Sequence, residues 1–219
     1  MRSATALVVV LIPLASLAQE KDPITADRPG ITTPTVVLGK GALQVETGLT
    51  YQWAQGSYTL GFPDPLFRYG IGHNQELRLL LLGYRWNSSG GTTNTGASDG
   101  YIGGKFGLGK VADLDLAAVI GLNVPSKSNG FSTGSVDPDI ILAWSKAIND
   151  KWSVAGQFHG TYTTDASGRI WFGQGTLSLG RTFNSKSYGF VEYARNVVQG
   201  GPPDDIVDLG AALLTSRDT

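Results

Sequence analysis

The 219 residues include no cysteine, which removes disulfides, thiolate nucleophiles and thiolate metal sites. There are only two histidines, His73 and His159, too few to build an imidazole metal cluster. Charge is nearly balanced, 17 Lys and Arg against 18 Asp and Glu, so no basic stripe marks a nucleic-acid partner. Long apolar runs are also missing. A membrane-spanning helix needs about 20 apolar residues, whereas beyond the N-terminus pure runs reach only four or five residues, as at 79–82, 116–120 and 140–144. These absences argue against a disulfide-stapled domain, a metal-cluster protein, a nucleic-acid binder and a helical membrane protein.

What is present begins with a leader. Arg2 and Ser3 precede an apolar stretch over 4–14, followed by the small residues Ala15, Ser16 and Ala18. This order is that of a secretory signal peptide, expected over 1–18 with cleavage after Ala18. The stretch is too short for an anchor helix, and with no cysteine behind it a lipid-anchored lipoprotein is not indicated. The expected organisation is a signal peptide at 1–18, an N-terminal periplasmic or interior segment at 19–40, and one domain at 41–219. Glycine is abundant, 30 of 219 against a usual share of about 7%. It is spread without a collagen period and, with Trp, Tyr, Thr and Val, favours many strands joined by turns.

The clearest strand is 43–53. One row reads Leu43, Val45, Thr47, Leu49, Tyr51, Trp53 and the other Gln44, Glu46, Gly48, Thr50, Gln52. A helix cannot gather a period of two onto one face. The same alternation recurs over 112–124, 152–162, 99–108 and 207–213. It is weaker over 66–71, where Pro63 and Pro65 require a late start or a bulge, and over 76–86, 140–148, 173–183 and 188–193. About ten strands are predicted.

The connections alternate in kind. Those at 72–75, 109–110, 149–151 and 184–186 are tight, while 87–98, 125–136, 163–169 and 195–205 are longer and polar. Short turns at one end and long loops at the other are the habit of outer-membrane barrels. The exception is the first connection at the long-loop end, 54–57, which is short. Trp53, Trp86 and Trp171 fall where strands meet the connections of that end, and Trp152 follows a tight turn at the other, as two interfacial aromatic belts require. Alternation alone does not say which row faces out, and a soluble lipocalin-like barrel has the same period with the faces exchanged. The export signal, the strand lengths and the alternating loops favour lipid. The fold expected is an all-β, antiparallel transmembrane β-barrel of about ten strands in the outer membrane of a Gram-negative bacterium.

Several stretches also carry a resemblance. They are Ala26-Asp27-Arg28-Pro29-Gly30, Phe67-Arg68-Tyr69-Gly70-Ile71, Glu76-Leu77-Arg78-Leu79 and Gly83-Tyr84-Arg85-Trp86-Asn87. Val136-Asp137-Pro138-Asp139, Gly189-Phe190-Val191-Glu192-Tyr193 and Gly200-Gly201-Pro202 complete the series. In this order, over nearly the whole mature chain, they resemble the transporter family named for the meta-pathway of phenol degradation. The resemblance implies an outer-membrane β-barrel and uptake of aromatic compounds, and it carries over no catalytic residue. Family members usually continue beyond the strand that 207–214 resembles, and outer-membrane barrels tend to end on an aromatic residue, which Thr219 is not. The alternatives here are a twelve-strand barrel cut short at the C-terminus or one closed early.

The polar rows nominate interior-lining residues: Glu46, Arg68, Glu76, Arg78, Lys105, Asp139, Gln157, His159 and Glu192, with Asp113 and Asp115 on the same pattern. Such charges either pair across strands and brace the wall or line a narrow polar pore. Asp27 and Arg28, in an aperiodic stretch ahead of the first strand, suggest a plug folded into the interior and paired to wall charges; a loose periplasmic tail is the alternative. No Gly-x-Ser-x-Gly elbow accompanies His159, so no catalytic residue is assigned. Asp137-Pro138-Asp139 and Asp204-Asp205 lack the spacing of a calcium loop. Gly103, Gly104, Gly107 and Gly109 precede no helix, so they do not form a dinucleotide loop. No metal and no cofactor is expected. The partners expected are outer-membrane lipids, the barrel-assembly machinery and a small solute of unknown identity. The function expected is a passive, porin-like channel, against the alternatives of a structural or adhesive barrel and a lipid-modifying enzyme.

Overall fold

A computed structural model describes residues 6–11, 26–28, 30–54, 56–165 and 168–214. The expected leader falls largely outside these residues, since 1–5 and 12–18 are not described, whereas the expected N-terminal segment is described from 26 onward apart from 29. Among the described residues the chain forms strands and turns and no helix. In chain order the strands begin β1 (Ala6–Leu11), β2 (Leu43–Glu46), β3 (Gly48–Ala54), β4 (Ser57–Gly61), β5 (Leu66–Gly72), β6 (Gln75–Leu80), β7 (Tyr84–Ser89) and β8 (Thr92–Ala97). They continue as β9 (Gly100–Val111), β10 (Leu114–Val124), β11 (Asp137–Ala147), β12 (Trp152–Asp165), β13 (Gly168–Asn184), β14 (Ser187–Val198) and β15 (Asp204–Leu213).

Two sheets result, ordered β1-β3-β4-β7-β8 and β15-β14-β13-β12-β11-β10-β9-β6-β5-β2. Every pairing is antiparallel. The sheets are two storeys of one meander. β2 runs into β3 through Thr47, β4 into β5 through 62–65, β6 into β7 through 81–83, and β8 into β9 through Ser98 and Asp99. Pro63 and Pro65 cannot donate to a ladder, so the break opens around them, and neighbouring strands break at the same level. Joined across this break, the described strands after β1 make ten long ones, as predicted.

The break is braced. Arg85 Nη1 donates to both carboxylate oxygens of Asp64 at 2.8 and 2.9 Å. A Cβ on Gly83 would sit 1.8 Å from Asp64 Oδ1, so the contact requires glycine there.

Two predicted connections are corrected. Residues 87–98 are not a loop: β7 and β8 extend through them as a hairpin turning at Gly90 and Gly91, both at positive φ. Likewise β12 and β13 pair from Thr163 to Asp165 on one strand and from Gly168 to Ile170 on the other, where a longer loop was expected. The 125–136 connection is a true loop. Asp99 gathers it by accepting from the backbone N–H groups of Ser126 and Thr133, each at 2.9 Å.

The wall is strongly curled. Asp27 N donates to Glu46 on β2 at 3.1–3.2 Å, and Ile31 N donates to Glu192 on β14. Four residues reach at most about 14 Å. Laid flat, β2 and β14 stand eight strands apart, about 38 Å at ~4.8 Å per strand. Only a sheet wrapped around residues 27–38 satisfies both contacts. Among the described residues β15 and β2 remain edges of the ten-stranded sheet and do not pair with each other, while the edge of β3 is occupied by β1.

Burial is inverted relative to a water-soluble domain. Among the described residues five hydrophobic side chains are buried, against sixteen polar or charged ones. Leu77, Ile102, Ile120, Ile140, Phe158 and Leu209 face outward and exposed, while their strand neighbours Glu76, Lys105, Val119, Gln157 and Glu192 are buried within.

Candidate functional site

Period two puts Glu46, Arg68, Glu76, Arg78 and Lys105 on the inner row of four adjacent long strands. Their register aligns them: Arg68 stands opposite Arg78, and Glu76 opposite Lys105. Three cations against two carboxylates would leave the wall one positive charge in excess. Asp27, from the inserted segment, supplies the third carboxylate. It meets Arg68 at 3.0 Å and Lys105 at 3.2 Å, and it also pairs with Arg78. Arg68, with no exposed side-chain surface, additionally holds Glu46 at 3.0 Å and grips Glu76 through Nε and Nη2 at 2.8 and 2.9 Å. Burial pushes the Asp27 carboxyl up, but Lys105, Arg78 and Arg68 outweigh it and hold it down at about 2.

Beyond Asp27 the segment is tied down mostly through its own backbone. Ile31 N and Thr32 N both donate to the Glu192 carboxylate, Thr33 N donates to Gln157 Oε1 at 2.7 Å, and Gln157 Nε2 donates back to the Ile31 carbonyl at 3.1 Å. Thr32 and Thr176 hydroxyls share a hydrogen bond of 2.7 Å, as do those of Thr35 and Ser145. Leu38 N donates to Glu76 at 2.8 Å. The chain then leaves over Gly70, where a Cβ would lie 1.9 Å from the Gly39 carbonyl oxygen.

All nine nominated wall residues lie on the inner face. Glu46, Arg68, Glu76, Arg78, Lys105, Gln157 and Glu192 are buried, and Asp139 and His159 are partly so. Asp139 and His159 form their own pair, Oδ2 to Nε2. Ser145 and Ser178 both lie opposite Ala155, four residues along the strand from His159, or about 13 Å. Asp113 and Asp115 are corrections. Asp113 sits in the β9–β10 turn with its side chain 83% exposed, and Asp115 pairs at the rim with Lys110. Arg28 is a partial correction too: it lies on the interior side but pairs with no wall charge among the described residues, unlike Asp27.

Sequence reasoning overlooked Tyr101, Asn123 and the Asp137–Arg169 pair at 2.7 Å. Tyr101 shares its row with Lys105, which was the available signal. With Asn123, Arg28 and Arg78 it borders an interior cavity of about 250 Å³. The cavity lies beyond the charge cluster, toward the end carrying the 125–136 loop. Among the described residues no group of His, Asp and Glu gathers as a metal site.

An antiparallel β meander, curled around an inserted segment, polar within and apolar without, is the class these features define. A family profile described as "Putative MetA-pathway of phenol degradation" matches residues 26–214, and the chain belongs to that family. The match begins at Ala26, next to Asp27, and its description links the family to phenol degradation. No curated protein matches the chain.

Proposed function

We propose that the protein is an outer-membrane β-barrel that acts as a passive channel for small molecules, with residues 26–38 as an interior plug. The carrying observation is the inverted burial. Exposed apolar patches larger than a few hundred Å² are rare on soluble monomers, and here whole strand faces are apolar and bare. β9 to β15 contain ten to seventeen residues each, enough for the 9–11 residues of a tilted crossing. The pairs Tyr51–Tyr58, Tyr84–Trp86 and Tyr162–Trp171, each with at least one exposed ring, gather toward the long-hairpin end, where an interfacial belt belongs. Lipids and the barrel-assembly machinery are the partners this reading requires, and the leader is the route out. The role is non-enzymatic: His159 is partnered by Asp139 and serves the wall.

A structural role without transport gains support from the plug, which fills the middle of the interior. The two readings separate in planar bilayers. A channel gives stepwise conductance, and removal of 26–38 enlarges the step. A barrel that stays silent with and without 26–38, yet still shows heat-modifiable gel mobility, is structural.

A further inference from the structure

The cavity of about 250 Å³ between the plug and the loop-bearing end is built from two kinds of wall. One side is apolar, from Leu66, Leu80, Val119 and Ile141. The other is polar, from Arg28, Arg78, Tyr101 and Asn123 together with Asp27 and Asp139. Those carboxylates are already engaged, Asp27 by Arg68, Arg78 and Lys105, and Asp139 by His159. Arg28 has no ion-pair partner among the described residues. Arg78 Nε and Tyr101 Oη are buried and lack any hydrogen-bond partner there. A buried donor left unmet loses its hydration without replacement. Two such donors and a free cation beside an apolar wall describe a receptor for an acceptor group carried on an apolar body.

We propose that this cavity binds a small apolar carboxylate, its head received by Arg28, Arg78 Nε and Tyr101 Oη and its body by the Leu80–Val119–Ile141 side. The volume lies below the roughly 300–1,000 Å³ of drug-sized sites, which restricts the ligand to about one ring. The site stands on the outer side of the plug, so an entering solute reaches it before the charge cluster. Its place in transport rests on the channel reading; its existence as a binding site does not.

Equilibrium binding of benzoate to the full, detergent-folded chain tests the proposal, with acetate, toluene and phenol as the head-only, body-only and uncharged probes. Expected is saturable one-to-one binding of benzoate, at least about tenfold tighter than each of the other three, since a hydrogen bond to a charged group is worth ~1.5–3 kcal/mol. Arg28→Gln and Tyr101→Phe should each weaken it by about tenfold, while the rim change Asp115→Asn leaves it unaltered. Heat-modifiable mobility checks that every variant is folded. Absence of saturable benzoate binding, which is the result if only water fills the cavity, overturns the proposal. So does equal affinity for phenol, or an unweakened folded Arg28→Gln. Conductance without benzoate binding retains the channel and rejects the site; benzoate binding without conductance does the reverse.

Discussion

Asp27 faces Arg68, Arg78 and Lys105, and the wall contributes only Glu46 and Glu76 in return. Removing one partner from a buried ionic cluster costs about 3–5 kcal/mol, because the charges left behind lose compensation they cannot recover from water. Asp27→Asn should therefore unseat the segment. Limited proteolysis of the folded protein would show it as rapid cleavage within 26–38, with the wild type resistant. The same carboxyl sets a pH dependence. Its value is depressed from 3.8 to about 2 in the folded chain. Its contribution is thus complete above about pH 4 and lost as pH falls from there through about 2. Protease resistance of the segment should hold at pH 5 and fail toward pH 2; failure already at pH 5 would assign the anchoring elsewhere. The nine wall residues were legible because alternation sorts inner from outer once one face is known. Asp27 and Arg28 were not separable, since an aperiodic segment gives no face on which to place either.

At the scale of elements, the break at 62–65, 81–83 and 98–99 is where the strands pass from one sheet into the other. Asp64, Arg85 and Gly83 form its fastening, and a side chain on Gly83 displaces the Asp64 carboxylate. Gly83→Ala should lower stability by about 1–3 kcal/mol, the usual cost of overpacking, read as a lower temperature of the heat-modifiable gel shift. Pro63 and Pro65 announced an irregularity in the sequence, but its extension to the neighbouring strands depends on pairing, which no single segment displays. Residues 87–98 were misread for a related reason. Most of β8 is exposed on both rows and needs no apolar face, so its Thr, Asn and Gly look like those of a loop. β12 and β13 near Thr164 and Arg169 repeat the case.

For the whole molecule, outward side chains such as Leu122, Ile140 and Leu177 are exposed, while Gln157 and Glu192 are buried within. A charge placed on a lipid-facing row costs ~2–4 kcal/mol near mid-membrane. Ile140→Arg should accordingly impair folding into bilayers, and Ile140→Val should not. The period of two established that there were two faces, but not which one turned outward. That assignment became visible only when the curl placed 27–38 against Glu46, Glu76, Gln157 and Glu192 together.

The absence of cysteine makes the most direct test clean, since each introduced thiol is the only one. Leu122 and Asn123 are adjacent on β10 and point to opposite faces. Single variants Leu122→Cys and Asn123→Cys, each fluorescently labelled and reconstituted in bilayers, would be exposed to lipids carrying a quencher in the acyl chain. Strong quenching at 122 and little at 123 is required if hydrocarbon bathes the outer row. Little quenching at 122, or equal quenching at both, would contradict it and with it the membrane channel.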